Sequence, residues 1–256
     1  MGGDDRSSKP LSQSARIAVH GPNTVARRRC PRNVGVRLIL IEAAVETLES
    51  ALAAERDGAD RIELCANLTV GGTTPSAGLI AAVVEEIELP VFVMIRPRGG
   101  GFVFTDDDID AMTRDIKLAR KAGVAGIVTG VLTSAAHVDI EHTRTLTKTA
   151  PGLPVTFHRA FDSVANLPDA LEQLIDVGVT RVLTSGGAPT ALEGAAVIAS
   201  LVKQARERIT IVAGGGVREH NVREVIARTG VREVHSKLVE EIGIKRLVDV
   251  VRATAD

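Results

Sequence analysis

Eight short apolar segments recur along this chain, and a longer amphipathic stretch follows each of them. The segments are rich in Val and Ile, which is typical of strands buried on both faces of a parallel sheet. The stretches between them carry helix signals. Thr105 and Asp108 form a capping box, and DGAD, AGVA, VGVT and TGVR each place a glycine at a helix end. The eight segments are LILIE (38–42), DRIEL (60–64), VFVMI (91–95), GIVTG (126–130), VTFH (155–158), RVLTS (181–185), TIVAG (210–214) and REVHS (232–236).

This repetition predicts the fold class. Eight strand–helix units, spaced roughly 22–35 residues apart, favour a single α/β domain, a (β/α)8 TIM-type barrel over residues 37–256. The alternative is a doubly wound open sheet, which would place a G-x-G-x-x-G turn after its first strand. Here the first strand runs into EAAVETLES, which contains no glycine. We therefore predict the closed barrel.

Residues 1–36 differ from the rest of the chain. They are rich in Arg, Ser, Pro and Asn and show no lasting apolar periodicity. Such a composition buries too little apolar surface to fold, so we predict a disordered N-terminal extension. A basic contact arm or an Arg-rich targeting segment is the alternative, and Asp4 and Asp5 count against a transit peptide.

The amino-acid composition limits the kinds of partner that this protein can bind. A net charge of -1 and the absence of Trp and Tyr argue against a nucleic-acid partner. The longest uncharged stretch is too short and too polar to span a membrane. Two cysteines, Cys30 and Cys65, make no disulfide framework and favour a cytoplasmic location. The sequence leaves a homo-oligomer open.

Polar residues follow the predicted strands at the carboxyl ends, which form the functional face of such barrels. The three arginines among them predict a site for a carboxylate or phosphate, because guanidinium groups bind both in bidentate fashion. Glycine-rich loops after strands six and seven would add backbone N–H donors, although tight βα turns explain the same glycines. The candidate anion-binding residues are Arg96, Arg98, Arg159, Ser185, Gly186, Gly215 and Gly216.

A structural explanation of this face stays open beside the functional one. Glu42 and Glu63 could pair with those arginines in an ion network that closes the barrel top. In the functional interpretation, His158 of VTFHRAFD acts as general base or acid, oriented by Glu63 or Asp162. A strand-end histidine that is only hydrogen-bonded to the fold is the alternative for His158 and for His235.

Metal signatures such as H-x-x-x-H, C-x-x-C and H-x-E are absent from the sequence. Cys65 is a candidate soft ligand, with His158 or His235 and with Met94 nearby. The alternative is that Cys65 is a small buried hydrophobic residue.

The strand-end motifs taken together resemble the copper homeostasis protein CutC family, from about residue 38 to the C-terminus. The family resemblance implies a TIM-type barrel, a cytoplasmic location, and Cu(I) binding through cysteines, but no established reaction. The motifs are GADRIELCANLTVGGTTPS (58–76), MIRPRGGGFVFT (94–105), VTGVL (128–132), VTFHRAFD (155–162), RVLTSGG (181–187), AGGGV (213–217) and EVHS (233–236).

The chain departs from the family pattern in two places. Where the family commonly has a cysteine just after the first strand, this chain has Ala44, and the loop after EVHS is short. We therefore expect a copper homeostasis protein that binds Cu(I) weakly. The alternative is a barrel enzyme that acts on a small anionic metabolite by histidine–carboxylate acid–base chemistry.

Overall fold

The computed structural model of this protein describes residues 39–237 and 244–253. The predicted extension 1–36, including Cys30, lies outside the described residues, as does most of the short loop after the last predicted strand, residues 238–243.

Strands and helices alternate through the described residues. Each strand is parallel to the next one in the chain, and the last strand pairs with the first, so the sheet closes into an eight-stranded barrel. The predicted (β/α)8 barrel is confirmed. The elements are β1 Leu40–Val45, α1 Leu48–Arg56, β2 Arg61–Leu64, α2 Ala77–Glu86, β3 Val91–Met94, α3 Asp106–Ala122, β4 Gly126–Thr129, α4 Ile140–Thr149, β5 Val155–Phe157, α5 Leu167–Asp176, β6 Arg181–Thr184, α6 Ala195–Ala205, β7 Thr210–Ala213, α7 Val222–Thr229, β8 Glu233–Lys237 and α8 Lys245–Arg252.

The first strand is longer than predicted. The sequence placed its end at Glu42, but β1 continues to Val45, and Ala43 and Ala44 are buried between its neighbours. Helix α1 begins after Thr47, whose hydroxyl accepts from the Ser50 N–H at 3.0 Å in a capping box. Glu42 therefore lies in the middle of a strand and not at its end.

Two separate groups of apolar side chains hold the barrel. The larger group fills the layer between the strands and the surrounding helices. The smaller group lies inside the barrel and consists of Cys65, Phe92, Met94 and Val128. A Cβ atom on Gly126 would lie 2.5 Å from the Phe92 ring, so the aromatic side chain fills the space that glycine leaves.

No helix in the described ranges is long and apolar enough to cross a bilayer. Two short 3₁₀ helices, Leu68–Val70 and Arg159–Ser163, follow β2 and β5. They shape the loops at the carboxyl ends of the strands.

Candidate functional site

A cavity of about 480 Å³ opens at the carboxyl ends of the strands. Strands β2, β3 and β8 contribute Glu63, Met94 and His235 to its lining, and the loops after β3 and β5 contribute Arg96 and His158. The predicted functional face of the barrel therefore carries a concave site that is lined by both charged and apolar side chains.

Four charged side chains form a closed ion-pair ring deeper in the barrel. Arg61 binds Glu42 at 2.5 Å and Glu233 at 2.6 Å, and Arg181 binds the same two carboxylates at 3.1 and 2.7 Å. Burial alone would raise the pKa of Glu42, but Arg181 and Arg61 together hold it well below its usual range. The ring is balanced in charge, and it supports the cavity from below.

This ring differs from the ion network that the sequence suggested. Of the predicted members, Glu42 alone takes part, while Glu63, Arg96 and Arg159 line the cavity. The ring instead uses arginines at the first residue of β2 and of β6, which point into the barrel.

Glu63 and His235 form an acid–base pair beside the cavity. The Glu63 Oε1 accepts from the Cys65 thiol at 3.4 Å, and its Oε2 lies 3.9 Å from Nδ1 of His235. The same Nδ1 lies 2.9 Å from Oε1 of Glu42. Burial raises the pKa of Glu63. Burial would lower the pKa of His235, but the Glu63 and Glu42 carboxylates outweigh it and raise that pKa. Perturbed, interacting groups of this kind are candidates for proton transfer.

His158 is buried at the cavity wall with one ring nitrogen free. Its Nδ1 accepts a hydrogen bond from the Ala160 N–H at 3.2 Å, which assigns the ring proton to Nε2. Among the described residues no group pairs with that Nε2. Burial, reinforced by the nearby Arg96, lowers the pKa of His158 to about 3. His158 is therefore a neutral hydrogen-bond donor at physiological pH.

Backbone groups orient the imidazole of His158. The sequence had predicted that a carboxylate, from Glu63 or Asp162, would do so. Besides the Ala160 N–H, Gly130 fixes the ring, because a Cβ there would lie 2.5 Å from Cε1 of the imidazole. Glu63 and Asp162 form their hydrogen bonds with other partners.

Arg96 is a buried cation that ties two loops together. Its guanidinium donates to the carbonyl oxygens of Val70 at 3.0 Å, Gly72 at 2.9 Å and Gly100 at 2.6 Å. It also stacks on the Phe102 ring, 4.8 Å from the centroid. In the described part of the chain, no carboxylate pairs with Arg96 and its Nε has no hydrogen-bond partner. A buried cation of this kind is suited to an anionic ligand.

Arg98, the neighbouring candidate, lies outside the cavity lining. It binds Asp108 in the first turn of α3 at 3.1 Å and stacks on Phe104, and 45% of its side chain is exposed. The acidic first turn of α3 draws Arg98 outward, so the structure does not place it in the predicted anion site.

Asp162 occupies the anion site that the sequence predicted after β6. Its carboxylate accepts from the Ser185 N–H at 3.0 Å, from the Gly187 N–H at 3.1 Å, and from the Thr184 hydroxyl. Arg159 binds the same carboxylate at 2.8 Å. The protein therefore supplies its own anion there, and Ser185 is not free for a ligand.

The remaining loop glycines have different roles. Gly186 donates its N–H to the Thr184 hydroxyl at 2.8 Å and lies outside the lining, whereas Gly215 and Gly216 line the cavity. A Cβ atom on Gly215 would lie 3.2 Å from the Arg159 guanidinium carbon, so glycine permits this close approach.

Two basic residues in the lining were missed by sequence reasoning. Arg218 follows the glycines after β7, and Lys237 lies two residues after His235, on the same face of β8. Side chains two residues apart on a strand point to the same side, and this alternation along β8 could have indicated that Lys237 shares the face of His235.

The structure offers poor ligands for Cu(I). Cys65 is fully buried inside the barrel, where burial, and then Glu63, raise the pKa of its thiol well above the usual value. It is the single free cysteine among the described residues, and it bonds to Glu63 and to neither His158 nor His235. Met94 packs in the same apolar cluster as Cys65. Because Cu(I) favours two or three thiolate or thioether donors, one protonated thiol beside one thioether is a poor site for it.

A second donor group is close enough to surround a cation. Glu42, Glu63 and His235 each offer one ligand atom, and these atoms lie within 4.8 Å of one another. Oxygen and imidazole donors suit a divalent ion better than Cu(I). However, Arg61 and Arg181 already neutralise Glu42 and would repel a cation bound there. We therefore interpret the three as an ion-paired acid–base cluster.

These observations define a class of protein: a TIM-type barrel with a ligand-sized cavity at the carboxyl ends of its strands. The model of the CutC family matches residues 39–239. The chain belongs to the CutC family.

Relatives agree with this assignment. A human protein named copper homeostasis protein cutC homolog is 48% identical over 196 residues, covering 77% of this chain and 72% of that protein. A CutC family protein of Pasteurella multocida is 47% identical over 195 residues, covering 76% and 80%. A solved CutC structure from Streptococcus agalactiae is 38% identical, with a TM-score of 0.74 over 77% of this chain and 98% of that one.

Barrels of low sequence identity match this chain in fold only. Phosphoribosylanthranilate isomerase from Thermotoga maritima, at 14% identity, has a TM-score of 0.56 over 84% of this chain and 100% of that chain.

Proposed function

We propose that this protein binds a small organic anion in the cavity at the barrel mouth and carries out acid–base chemistry on it. One observation carries the proposal. Among the described residues, four buried side-chain polar atoms lack a hydrogen-bond partner, and three of them belong to the cavity lining: Glu63 Oε2, Arg96 Nε and His158 Nε2. A buried polar atom without a partner costs about 1–3 kcal/mol, so three in residues that line one cavity favour the binding of a polar molecule there.

The charges of the lining favour an anion. Arg159 is neutralised by Asp162, and the ion-pair ring below is balanced. The positive charges of Arg96, Arg218 and Lys237 remain, against the single carboxylate of Glu63, and in the described structure none of the three basic residues pairs with a carboxylate. An anionic ligand would offset this excess of positive charge.

The titratable groups support acid–base chemistry. Glu63 and His235 are the candidate pair that exchanges a proton with the ligand, since each touches the cavity and each has a perturbed pKa. The sequence-based candidate for this role was His158. Its neutral ring with a free Nε2–H supports a different role, donation of a hydrogen bond to the ligand.

Ligand titration tests the proposal. Calorimetry and thermal denaturation with orthophosphate, oxalate and pyruvate should show saturable binding, and an anion at a hundredfold excess over its Kd stabilises by about 2.7 kcal/mol. Arg218→Gln combined with Lys237→Gln should weaken binding at least about tenfold. Arg144→Gln, an exposed arginine on α4, is the matched control and should change nothing. The absence of any saturable anion would overturn the proposal.

For copper, we propose that any direct binding of Cu(I) is weak and depends on Cys65. The family name and the human relative's name support a link with copper homeostasis. The buried, protonated thiol of Cys65 and the alanine at position 44 support weak binding. We also propose a cytoplasmic location, which the low cysteine content supports.

A further inference from the structure

We infer, on the basis of the proposed anion site, that this cavity breaks a carbon–hydrogen bond next to a carbonyl group of the ligand. Glu63 takes the proton, and His158 and Arg96 bind the carbonyl oxygen. The substrate class is then a small carboxylate or phosphate ester that also carries a ketone or aldehyde.

Two donors without hydrogen-bond partners belong to residues that line this cavity. His158 offers Nε2–H and Arg96 offers Nε–H, and both are almost fully buried. Phe102 contacts both: its ring centroid lies 5.1 Å from that of His158 and 4.8 Å from the Arg96 guanidinium carbon. Arg96 also lies close enough to His158 to lower the pKa of its imidazole, so the two side chains are neighbours in the cavity wall. Preorganised donors in a dry site stabilise negative charge as it develops on oxygen.

The neutral state of His158 matters for this role. A neutral imidazole is a weak acid, and its N–H remains a donor when the carbonyl oxygen gains charge. Triosephosphate isomerase, an unrelated enzyme, uses a neutral histidine in this way. Here the Ala160 N–H fixes the tautomer and Gly130 fixes the ring position.

Glu63 has one carboxylate oxygen that accepts no hydrogen bond among the described residues. The Cys65 thiol holds Oε1, while Oε2 is buried and lies 3.9 Å from Nδ1 of His235. Met94 and Leu183 are among the apolar residues that line the same cavity. A desolvated carboxylate is a stronger base than one in water, and apolar walls accommodate the carbon skeleton of the ligand.

The proposed step is balanced in atoms and electrons. The carbon–hydrogen bond breaks and its proton passes to Oε2 of Glu63. The electron pair forms a carbon–carbon double bond, and the carbonyl π pair moves to the oxygen that His158 and Arg96 hold. Return of the proton to the same carbon completes an exchange. Return to the former carbonyl carbon completes an isomerisation when the first carbon carries a hydroxyl, whose proton then passes to the oxygen that His158 and Arg96 hold, with no oxidant or reductant.

Deuterium exchange tests this step without knowledge of the natural product. The protein is incubated in D₂O with pyruvate, 2-oxobutyrate or dihydroxyacetone phosphate, and proton NMR follows the signal of the hydrogens next to the carbonyl. We expect exchange faster than in buffer for at least one probe. Glu63→Gln should slow it on the order of 10²–10⁴-fold, and His158→Asn on the order of 10²–10³-fold. The exposed-surface control Arg144→Gln should exchange as fast as the unaltered protein.

Calorimetry with the same three probes separates the two proposals. Probes that bind without exchange, or exchange that survives Glu63→Gln, would overturn the enolisation step and leave the anion site standing. Failure of every probe to bind would overturn both. If Glu63→Gln does not fold, Glu63→Asp keeps the charge while withdrawing the oxygen, and it should slow exchange while retaining binding.

Discussion

The neutral state of His158 predicts a specific loss of stability in acid. Its pKa is about 3 in the folded protein, compared with 6.5 for an ordinary histidine. Because the folded-state pKa is the lower one, the unfolded chain binds a proton that the folded protein refuses. Stability is therefore complete above pH 6.5 and falls as the pH drops toward 3.

The size of the effect follows from the same two values. At about pH 5 the unfolded histidine is protonated and the folded one is not, and each pH unit below 6.5 costs about 1.4 kcal/mol. Lowering the pH from about 7.5 to about 5 should therefore cost about 2 kcal/mol through this residue. His158→Asn removes the titration, while its side-chain oxygen can still accept from the Ala160 N–H.

Urea denaturation at the two pH values provides the assay. Other titrating groups contribute to both proteins, so the informative quantity is the difference between them. The free energy of unfolding of the unaltered protein should fall by about 2 kcal/mol more than that of His158→Asn. An equal fall in both proteins would show that His158 titrates normally and would refute the assignment of a neutral donor.

Three further predictions use other parts of the site. Ala44→Cys should strengthen Cu(I) binding, measured in a competition titration with a Cu(I) chelator, and Cys65→Ser should abolish the binding that the unaltered protein has. Tight binding that survives Cys65→Ser would place the copper site elsewhere. Gly130→Ala should displace the imidazole of His158 and weaken anion binding, measured by calorimetry, because the new Cβ would lie 2.5 Å from the ring; unchanged affinity would argue against a role for that ring. Arg181→Met should lower the free energy of unfolding by about 3–5 kcal/mol in a urea titration, because two buried carboxylates would share one arginine; a loss below about 1 kcal/mol would show that the ion-pair ring is dispensable.

The sequence was informative about the fold because the strand pattern is periodic and local. Eight Val/Ile-rich runs with glycine-terminated helices between them predict the barrel and its order. The predicted end of β1 was wrong because Ala43 and Ala44 have high helix propensity. Pairing with the neighbouring strands overrides that propensity.

The candidate site could be predicted from the sequence less completely than the fold. Placement of His158, Glu63 and Arg96 at one mouth follows from barrel topology, and the structure brings them to one cavity. The ion-pair ring escaped notice because Arg61 and Arg181 begin their strands, where a charged residue is usually solvated. In a closed barrel those positions face the interior.

The sequence also did not predict that Asp162 binds the loop after β6. Asp162 lies more than twenty residues before the N–H groups of Ser185 and Gly187 that it binds. Nothing in local spacing indicates such a contact, since it depends on how the loops after β5 and β6 meet.

A crystal structure from crystals grown with oxalate and without added metal tests most directly the central claim, that the cavity binds a small organic anion. Oxalate is a planar dianion that resembles the enolate of a 2-oxo acid. The account predicts its density in the cavity, with oxygens about 2.7–3.1 Å from Arg96 Nε and His158 Nε2. Oxalate bound elsewhere, or a mouth that holds only solvent while the protein shows no affinity for the anion, would contradict it.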